Sequence, residues 1–316
     1  VIGSTGAAPA ATAALVGRRR GLAHARGVVI AFFLAPALLL FVGFTLYPAI
    51  RTLYNSVHTI KPRGVVEFVG LGNVRELLTR DRVFGRAVVN TLLWASVAPV
   101  ADVVIGLVLA LGLYARVPLA RLLRIVWFTP VLLSYVVVGI LWVWVYNYDW
   151  GLVNLALRMV GLGGWAHSWL GDPATALWAV MAAHAWKWAG FSMVVCLAAL
   201  YALPLEVLEA AELDNCGWTR KLLFVMVPMI WPTLLSLLIL SFIGKMKVFD
   251  LVWIMTQGGP LWSTETVSTY VYKRAFEWNT FDLGYPSAVA SLWFLVVLAL
   301  VLALTWTFRQ RERLEY

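Results

Sequence analysis

Six stretches of this chain stay apolar for about 20 residues or more, and no other feature of the sequence restricts its fold as strongly. They run near Val28–Tyr47, Ala87–Tyr114, Ile125–Tyr146, Ala176–Tyr201, Ile230–Met255 and Pro286–Phe308. Hydrocarbon about 30 Å thick is crossed at about 1.5 Å per helical residue, so each run is long enough to span. Inside the bilayer no water satisfies backbone amides and carbonyls, which leaves helices as the spanning form. The expected fold is an all-α polytopic membrane protein with about six transmembrane helices. Composition agrees: 62% of residues are hydrophobic and 13% charged, against roughly half and a quarter in an ordinary globular chain. Mean hydropathy is +0.83.

The expected organisation is a disordered N-terminal tail over 1–27, a transmembrane domain over 28–308 and a short C-terminal tail over 309–316. Arg18, Arg19 and Arg20 before the first apolar run have the charge layout of a secretory signal. The run is longer than a signal's apolar region and no small-residue cleavage site follows it, so a retained first helix is expected. The net charge of +9 does not indicate nucleic acid, because the basic residues lie beside apolar runs and form no basic domain. Cys196 and Cys216 are isolated, with neither metal-ligand spacing nor the pattern of a disulfide framework.

Lys and Arg near helix ends set orientation. A cytoplasmic N-terminus places Arg18, Arg19, Arg20 and Arg26 inside, then Arg116, Arg121 and Arg124, then Arg220 and Lys221, then Arg309, Arg311 and Arg313. The outer loops after the third and fifth runs then carry only Arg158, Lys273 and Arg274. The first outer segment opposes this, with Arg51, Lys61, Arg63, Arg75, Arg80, Arg82 and Arg86. It is expected to be a small ordered element, with "FVGLGNVRELL" forming a short amphipathic helix after a glycine turn.

No P-loop, H-E-x-x-H or G-x-S-x-G pattern is present. The four histidines are scattered, and only His184 lies inside an apolar run. No catalytic residues and no metal ligands are assigned, and no cofactor is expected on this chain.

The stretch "LEVLEAAELDNCGWTRKLLFVMVPMIWP", from Leu205, crowds Glu206, Glu209, Glu212 and Asp214 between two of the most apolar runs. Pro204 suits a helix start, and Glu206 and Glu209 suit its positive end. Ala210 and Ala211 allow close approach by another surface. Asn215 tolerates a left-handed backbone and Gly217 adopts one freely, so a turn is expected there, followed by a second helix "WTRKLLFVMV" running to Pro228. A solvated loop balancing Arg220 and Lys221 would account for the carboxylates. It would not account for the alanine pair or the tight turn, whereas a docking element entering a cleft in a cytosolic partner accounts for both.

This stretch resembles the EAA loop of permease subunits of binding-protein-dependent ABC importers. That pattern runs E-A-A, three residues, G, nine residues, I-x-L-P. Here Glu209-Ala210-Ala211 is followed after three residues by Asn215 in the glycine place, and then by Val225-Met226-Val227-Pro228. The spacing is preserved, with Asn, Val and Val replacing Gly, Ile and Leu. The stretch "KVFDLVWIMTQGGPLWSTETVSTYVYKRAFEWNTFDLGYPSA" is similar to the carbohydrate group, relatives of the maltose and glycerol-3-phosphate permeases, as are "FVGLGNVRELL" and "GDPATALWAV". The resemblance extends over nearly the whole chain after Val28.

The resemblance implies a type I ABC importer permease fold with a cytoplasmic coupling helix in the loop 202–228, in a bacterial cytoplasmic membrane with both termini inside. It implies a second permease subunit, usually a non-identical homologue, two ATP-binding subunits that hold ATP and magnesium, and an extracytoplasmic substrate-binding protein. Glu209, Ala210, Ala211, Asp214, Asn215, Gly217 and Pro228 are the coupling-loop residues by this analogy, with Glu209 meeting a cationic group of the ATPase.

Charges inside spans are costly and point to function. Lys187 lies in "WKW", and Lys245, Lys247 and Asp250 in "GKMKVFDLVW". Lys247 and Asp250 are three apart, so on one helix they would share a face and either neutralise each other or meet solute. Trp253 continues that face, and aromatic rings stack well on sugars. Trp186 and Trp188 flank Lys187, completing the candidate solute path. Most of the seventeen tryptophans suit an interfacial belt or lipid-facing packing. The competing reading is an ion-coupled secondary transporter, which would need inverted repeats and a carboxylate relay. Asp102 and Asp250 are the only carboxylates well inside the runs.

Overall fold

The computed structural model describes residues 29–61, 65–115, 117–278 and 282–312. The tail expected over 1–27 lies outside them, as do residues 313–316. The described chain is helical except for one small hairpin. It divides into two units, up to Asn55 and from Ser56 onward.

The first unit is built on α1 (Val29–Ser56). Phe32, Phe33, Leu39 and Phe44 are exposed along it, the surface of a helix made for hydrocarbon. In the second unit an antiparallel hairpin pairs β1 (His58–Lys61) with β2 (Val65–Phe68), His58 opposite Phe68. Gly70 then turns at φ +54° into α2 (Gly72–Thr79), the short helix expected from "FVGLGNVRELL". Asn73 of α2 donates to the carbonyls of Ser56 and His58, both at 3.0 Å, locking it to the hairpin.

The helices that follow are α3 (Arg82–Tyr114), α4 (Ala120–Leu132), α5 (Tyr135–Val145), α6 (Leu152–Met159) and α7 (Ala176–Tyr201). Next come α8 (Leu205–Leu213), α9 (Trp218–Met229), α10 (Trp231–Lys245), α11 (Asp250–Met255), α12 (Val267–Tyr272) and α13 (Gly284–Glu312). Four of these, α1, α3, α7 and α13, are long and apolar enough to cross a bilayer unbroken. The remaining crossings are bent pairs: α4 meets α5 at 106°, and α9 meets α10 at 62°. Counting each pair as one span gives six.

Two of the expected runs are therefore corrected. The third is not one rod but breaks at Leu133–Ser134, where the Ser134 side chain accepts from the Val137 amide and starts a new helix. The fifth does not run from Ile230 to Met255. Its helix ends at Lys245 and resumes at Asp250, while α9 joins it from the other side. Lys247 thus sits in the break and does not share a helical face with Asp250.

The core lies where α7 crosses α3. Without a hydrophobic drive between helices in lipid, close approach depends on small residues. A Cβ on Gly106 of α3 would come 2.7 Å from the Met193 amide nitrogen, and one on Gly190 of α7 would come 2.9 Å from Phe128 Cα. Buried alanines at 98, 110, 179, 183, 185 and 189 continue this packing.

At one end, Asp81 caps α3 by accepting from the Phe84 amide at 2.9 Å. The same carboxylate accepts from the Tyr270 hydroxyl and, at 2.6 Å, from Tyr285, with Arg274 at 3.7 Å. One side chain therefore ties together the ends of α3, α12 and α13. Nearby, buried Glu265 receives Lys273 at 2.5 Å; burial pushes its carboxyl up despite that cation.

Burial is the largest influence on Asp81 and would raise its pKa, but the Tyr270 and Tyr285 hydroxyls, the Phe84 amide and Arg274 outweigh it and hold the carboxyl below its usual range. The unfolded carboxyl titrates near 3.9, so this contribution is complete above that value and is lost as pH falls through the lower folded value. Asp81→Asn is expected to lower the melting temperature at pH 7, with a loss of about 1–3 kcal/mol. The difference from the parent should shrink at pH 3, and thermal melts in detergent at the two pH values check it.

Candidate functional site

The polar residues of the bundle gather in one place. Asp102 of α3, 2% exposed, accepts from Lys245 of α10 at 2.9 Å and from Ser241 at 3.3 Å, and Lys245 also donates to Ser241 at 3.1 Å. His184 of α7 places Nδ1 3.7 Å from the other Asp102 oxygen. Those two atoms, Asp102 Oδ1 and His184 Nδ1, are buried and have no hydrogen-bond partner among the described residues. An ammonium buried among apolar helices needs acceptors that replace its hydration, and for Lys245 the Asp102 carboxylate is the main one.

Aromatic side chains surround this cluster. Trp188 donates its indole N–H to the Tyr135 hydroxyl at 2.7 Å. The Lys245 ammonium lies 5.4 Å from the centre of the Trp188 ring, within cation–π range. Trp94 meets His184 edge-on with centroids 5.6 Å apart. Between these groups opens a cavity of about 290 Å³, whose wall includes Asp102, Tyr135, His184, Trp188, Lys245 and Lys247. Asp250 and Ser241 also reach it. A space with aromatic faces and a fixed donor–acceptor pair can hold a polyhydroxylated ring, stacking its apolar face and bonding its hydroxyls.

Of the candidate path residues, Lys245, Lys247, Asp250 and Trp188 line this cavity, whereas Lys187, Trp186 and Trp253 do not. Trp253 instead stacks on Phe249 with centroids 5.5 Å apart, and Trp186 meets Trp142 edge-on at 5.7 Å. Lys187 turns to backbone carbonyls of the α4–α5 break. No ion pair joins Lys247 to Asp250 among the described residues. Sequence reasoning noted Asp102 as a rare intramembrane carboxylate without naming its partner. It had no signal at all for Tyr135 or Ser241.

The second site is the elbow at the other end of α3. Helix α8 ends at Leu213, and Asn215 follows at φ +52°. The Cys216 amide donates to the Ala211 carbonyl at 3.0 Å and the Asn215 amide to Glu212 at 3.0 Å, a Schellman closure. Asn215 thus takes the left-handed position as expected. Gly217 does not: at φ −59° and ψ 156° it starts α9 in an extended conformation. Lys221 pairs with Glu212 across the turn, bracing the two helices.

Leu208 is buried against the bundle, whereas Glu209, Ala210 and Asp214 are exposed and Ala211 is half-buried. Pro228 is exposed near the α9–α10 bend. Trp218 stacks on Tyr114 at the end of α3, with centroids 6.3 Å apart and planes 15° from parallel, and Tyr114 meets Tyr201 of α7 at 5.4 Å. The elbow is thus seated on α3 and α7 while its acidic, small-residue face stays open. Among the described residues no group of three or more His, Cys, Asp or Glu could hold a metal ion.

Residues 102–313 match the family described as binding-protein-dependent transport system inner membrane component. A probable ABC transporter permease protein of Pyrococcus horikoshii is 30% identical, over 90% of this chain and 97% of its own length. The lactose transport system permease protein of Rhizobium radiobacter is 33% identical, over 89% and 93%. The trehalose/maltose transport system permease protein of Thermococcus litoralis is 30% identical, over 84% and 88%. A solved chain of a bacterial ABC transporter involved in import of the acidic polysaccharide alginate shares the fold, with TM-score 0.77 and 23% identity over 92% of this chain and 99% of that one.

Removing one member of the Asp102–Lys245 pair leaves the other charge buried, which costs about 3–5 kcal/mol. Asp102→Asn and Lys245→Met are each expected to lower the melting temperature sharply, and the double variant to recover most of the loss. A double-mutant cycle by thermal melts measures the coupling.

Proposed function

The chain belongs to the family of binding-protein-dependent transport system inner membrane components, and on that premise we propose that it forms half of the translocation path for a sugar or related polyol in an ATP-driven importer. The other half is a second permease subunit, a non-identical homologue. Two ATP-binding subunits carry ATP and magnesium, and an extracytoplasmic substrate-binding protein delivers the solute. The chain lies in a bacterial cytoplasmic membrane, with both termini and the α8 elbow in the cytoplasm.

The observation that carries this reading is the elbow. A motor subunit can push only on something stiff that is fixed to the moving helices and open to contact. The Schellman turn and the Glu212–Lys221 pair supply the stiffness, the Trp218–Tyr114 stack the attachment, and the open Glu209–Ala210 face the contact. Close packing around Ala210 and Ala211 and a rigid Asn215 turn carry more force than one exposed ion pair at Glu209, which contributes about 0–1 kcal/mol. In this cycle ATP binding closes the motor subunits, the elbows move with them, and the spans pass from inward-open to outward-open.

The cavity beside Asp102 is the solute path of this half. Relatives that carry lactose and trehalose or maltose in their names support a sugar, as do its Trp188 and Tyr135 rings beside a donor–acceptor pair. The alternative, an ion-coupled secondary transporter working alone, gives the elbow's uncovered acidic face no role.

Glu209→Lys together with Ala210→Arg should release the ATPase subunits or uncouple ATP hydrolysis from uptake, with the melting temperature of the permease within 2–3 °C of the parent, about the shift that 1 kcal/mol gives a chain of this size. Co-purification and uptake into proteoliposomes loaded with or without ATP provide the check. Normal ATP-driven uptake by the double variant, or uptake by this chain alone on an ion gradient, refutes the proposal.

A further inference from the structure

Lys187 is the intramembrane charge that neither the cavity wall nor the elbow uses. It lies near the middle of α7 and is 3% exposed. Its ammonium donates to the carbonyl oxygens of Pro130 at 3.2 Å, Val131 at 3.1 Å and Leu133 at 2.5 Å. These carbonyls belong to the broken end of α4, where the 106° turn into α5 removes the amides four residues on that a continuous helix would supply, leaving only the Leu133 amide on the Pro130 carbonyl at 3.2 Å. Hydrocarbon offers no substitute donor. A lysine ammonium has three donor hydrogens and no acceptor, which matches three converging carbonyls, and the negative end of the α4 dipole favours its charge.

The break also carries the cavity wall. Tyr135 is the first residue of α5, and its ring centre lies 5.0 Å from the Lys187 ammonium. The Tyr135 hydroxyl takes the Trp188 indole hydrogen at 2.7 Å, so both rings over the cavity depend on where α5 begins. Carbonyl ends of broken helices near the bilayer midplane are places where transporters coordinate a coupling cation.

We infer that Lys187 is a positioning residue: a covalently tethered cation that occupies the carbonyl end of the broken span and thereby sets Tyr135 and Trp188 against the solute. No free cation is then needed at this point of the path. The inference rests on the cavity being the solute path, as proposed above.

The test uses the transporter assembled with its partner subunits, carrying Lys187→Ala, which leaves space, or Lys187→Met, which fills it with an uncharged stem. Methylammonium is the probe. Methylammonium at 50 mM is expected to raise the melting temperature of Lys187→Ala toward that of the parent, while leaving the parent and Lys187→Met unmoved. In proteoliposomes, with whichever of lactose, trehalose or maltose the parent transports, both variants should show KM raised at least tenfold and ATP hydrolysis within twofold of the parent. Methylammonium should restore KM for Lys187→Ala only.

An unchanged KM in Lys187→Ala, or a loss that methylammonium does not relieve, overturns the inference. If Lys187→Ala does not accumulate, growth and purification in methylammonium repeat the test: recovered assembly supports the tethered cation and continued absence refutes it. Trp188→Ala separates the two layers. If it leaves KM unchanged, the cavity reading itself fails; if it raises KM while Lys187→Ala does not, the cavity reading stands and the role of Lys187 falls.

Discussion

Hydrocarbon supplies no hydrogen bonds, and most of this structure follows from that one constraint. A continuous helix such as α7, with no proline inside it, meets it through its own backbone bonds. Each departure from a continuous helix needs a named partner. The α4–α5 break is closed by the Lys187 ammonium on one side and the Ser134 hydroxyl on the other. The Asp102 carboxylate inside α3 is met by Lys245 and Ser241 of α10. The Trp293 indole donates to the buried Met246 carbonyl, where α10 stops, at 2.9 Å. Polar chemistry and backbone irregularity therefore occur together, at the places where a solute would also need polar partners.

That pairing explains which features were legible in the sequence. The six apolar runs located the spans because length and hydropathy are local properties, and the Asn215 turn was legible because left-handed backbone is a property of single residues. The breaks were not. "PVLLSYVV" is apolar enough to pass for one rod, and Ser134 looks like any serine in a membrane helix. Lys187 was placed on the solute path because a cation in a span needs a partner. Its partner is a set of carbonyls whose spare acceptor capacity is apparent only once the break is known. In the same way Lys247 and Asp250 share a face only if the helix is continuous through Val248, and it is not.

Charge pairing across helices was invisible for a different reason. Asp102 and Lys245 lie on α3 and α10, and no spacing rule connects them. The available signal was rarity: two isolated ionisable groups in apolar surroundings, each too costly to stay unpaired. Gly217 is the opposite case. Glycine permits the left-handed position but does not require it, and Asn215, two residues earlier, already closes the helix.

The same helices connect the two sites. Helix α3 runs about 50 Å at the α-helical rise, from Asp81 at one end to Tyr114 against the elbow at the other, with Asp102 between. Helix α7 carries His184 and Trp188 at the cavity and Tyr201 at the elbow. A push on the elbow therefore reaches both helices through Leu208, Trp218 and Tyr114 together. The cavity wall is drawn from α3, α5, α7, α10 and the start of α11, so a small slide of one past another changes which donors and acceptors face the cavity before it changes the volume much. Packed interfaces of this kind shift between discrete arrangements and do not deform smoothly. The Asp102–Lys245 contact, shared between α3 and α10, is the bond that such a slide would have to keep or exchange, and in the proposed cycle it is where movement of the elbow would alter the cavity.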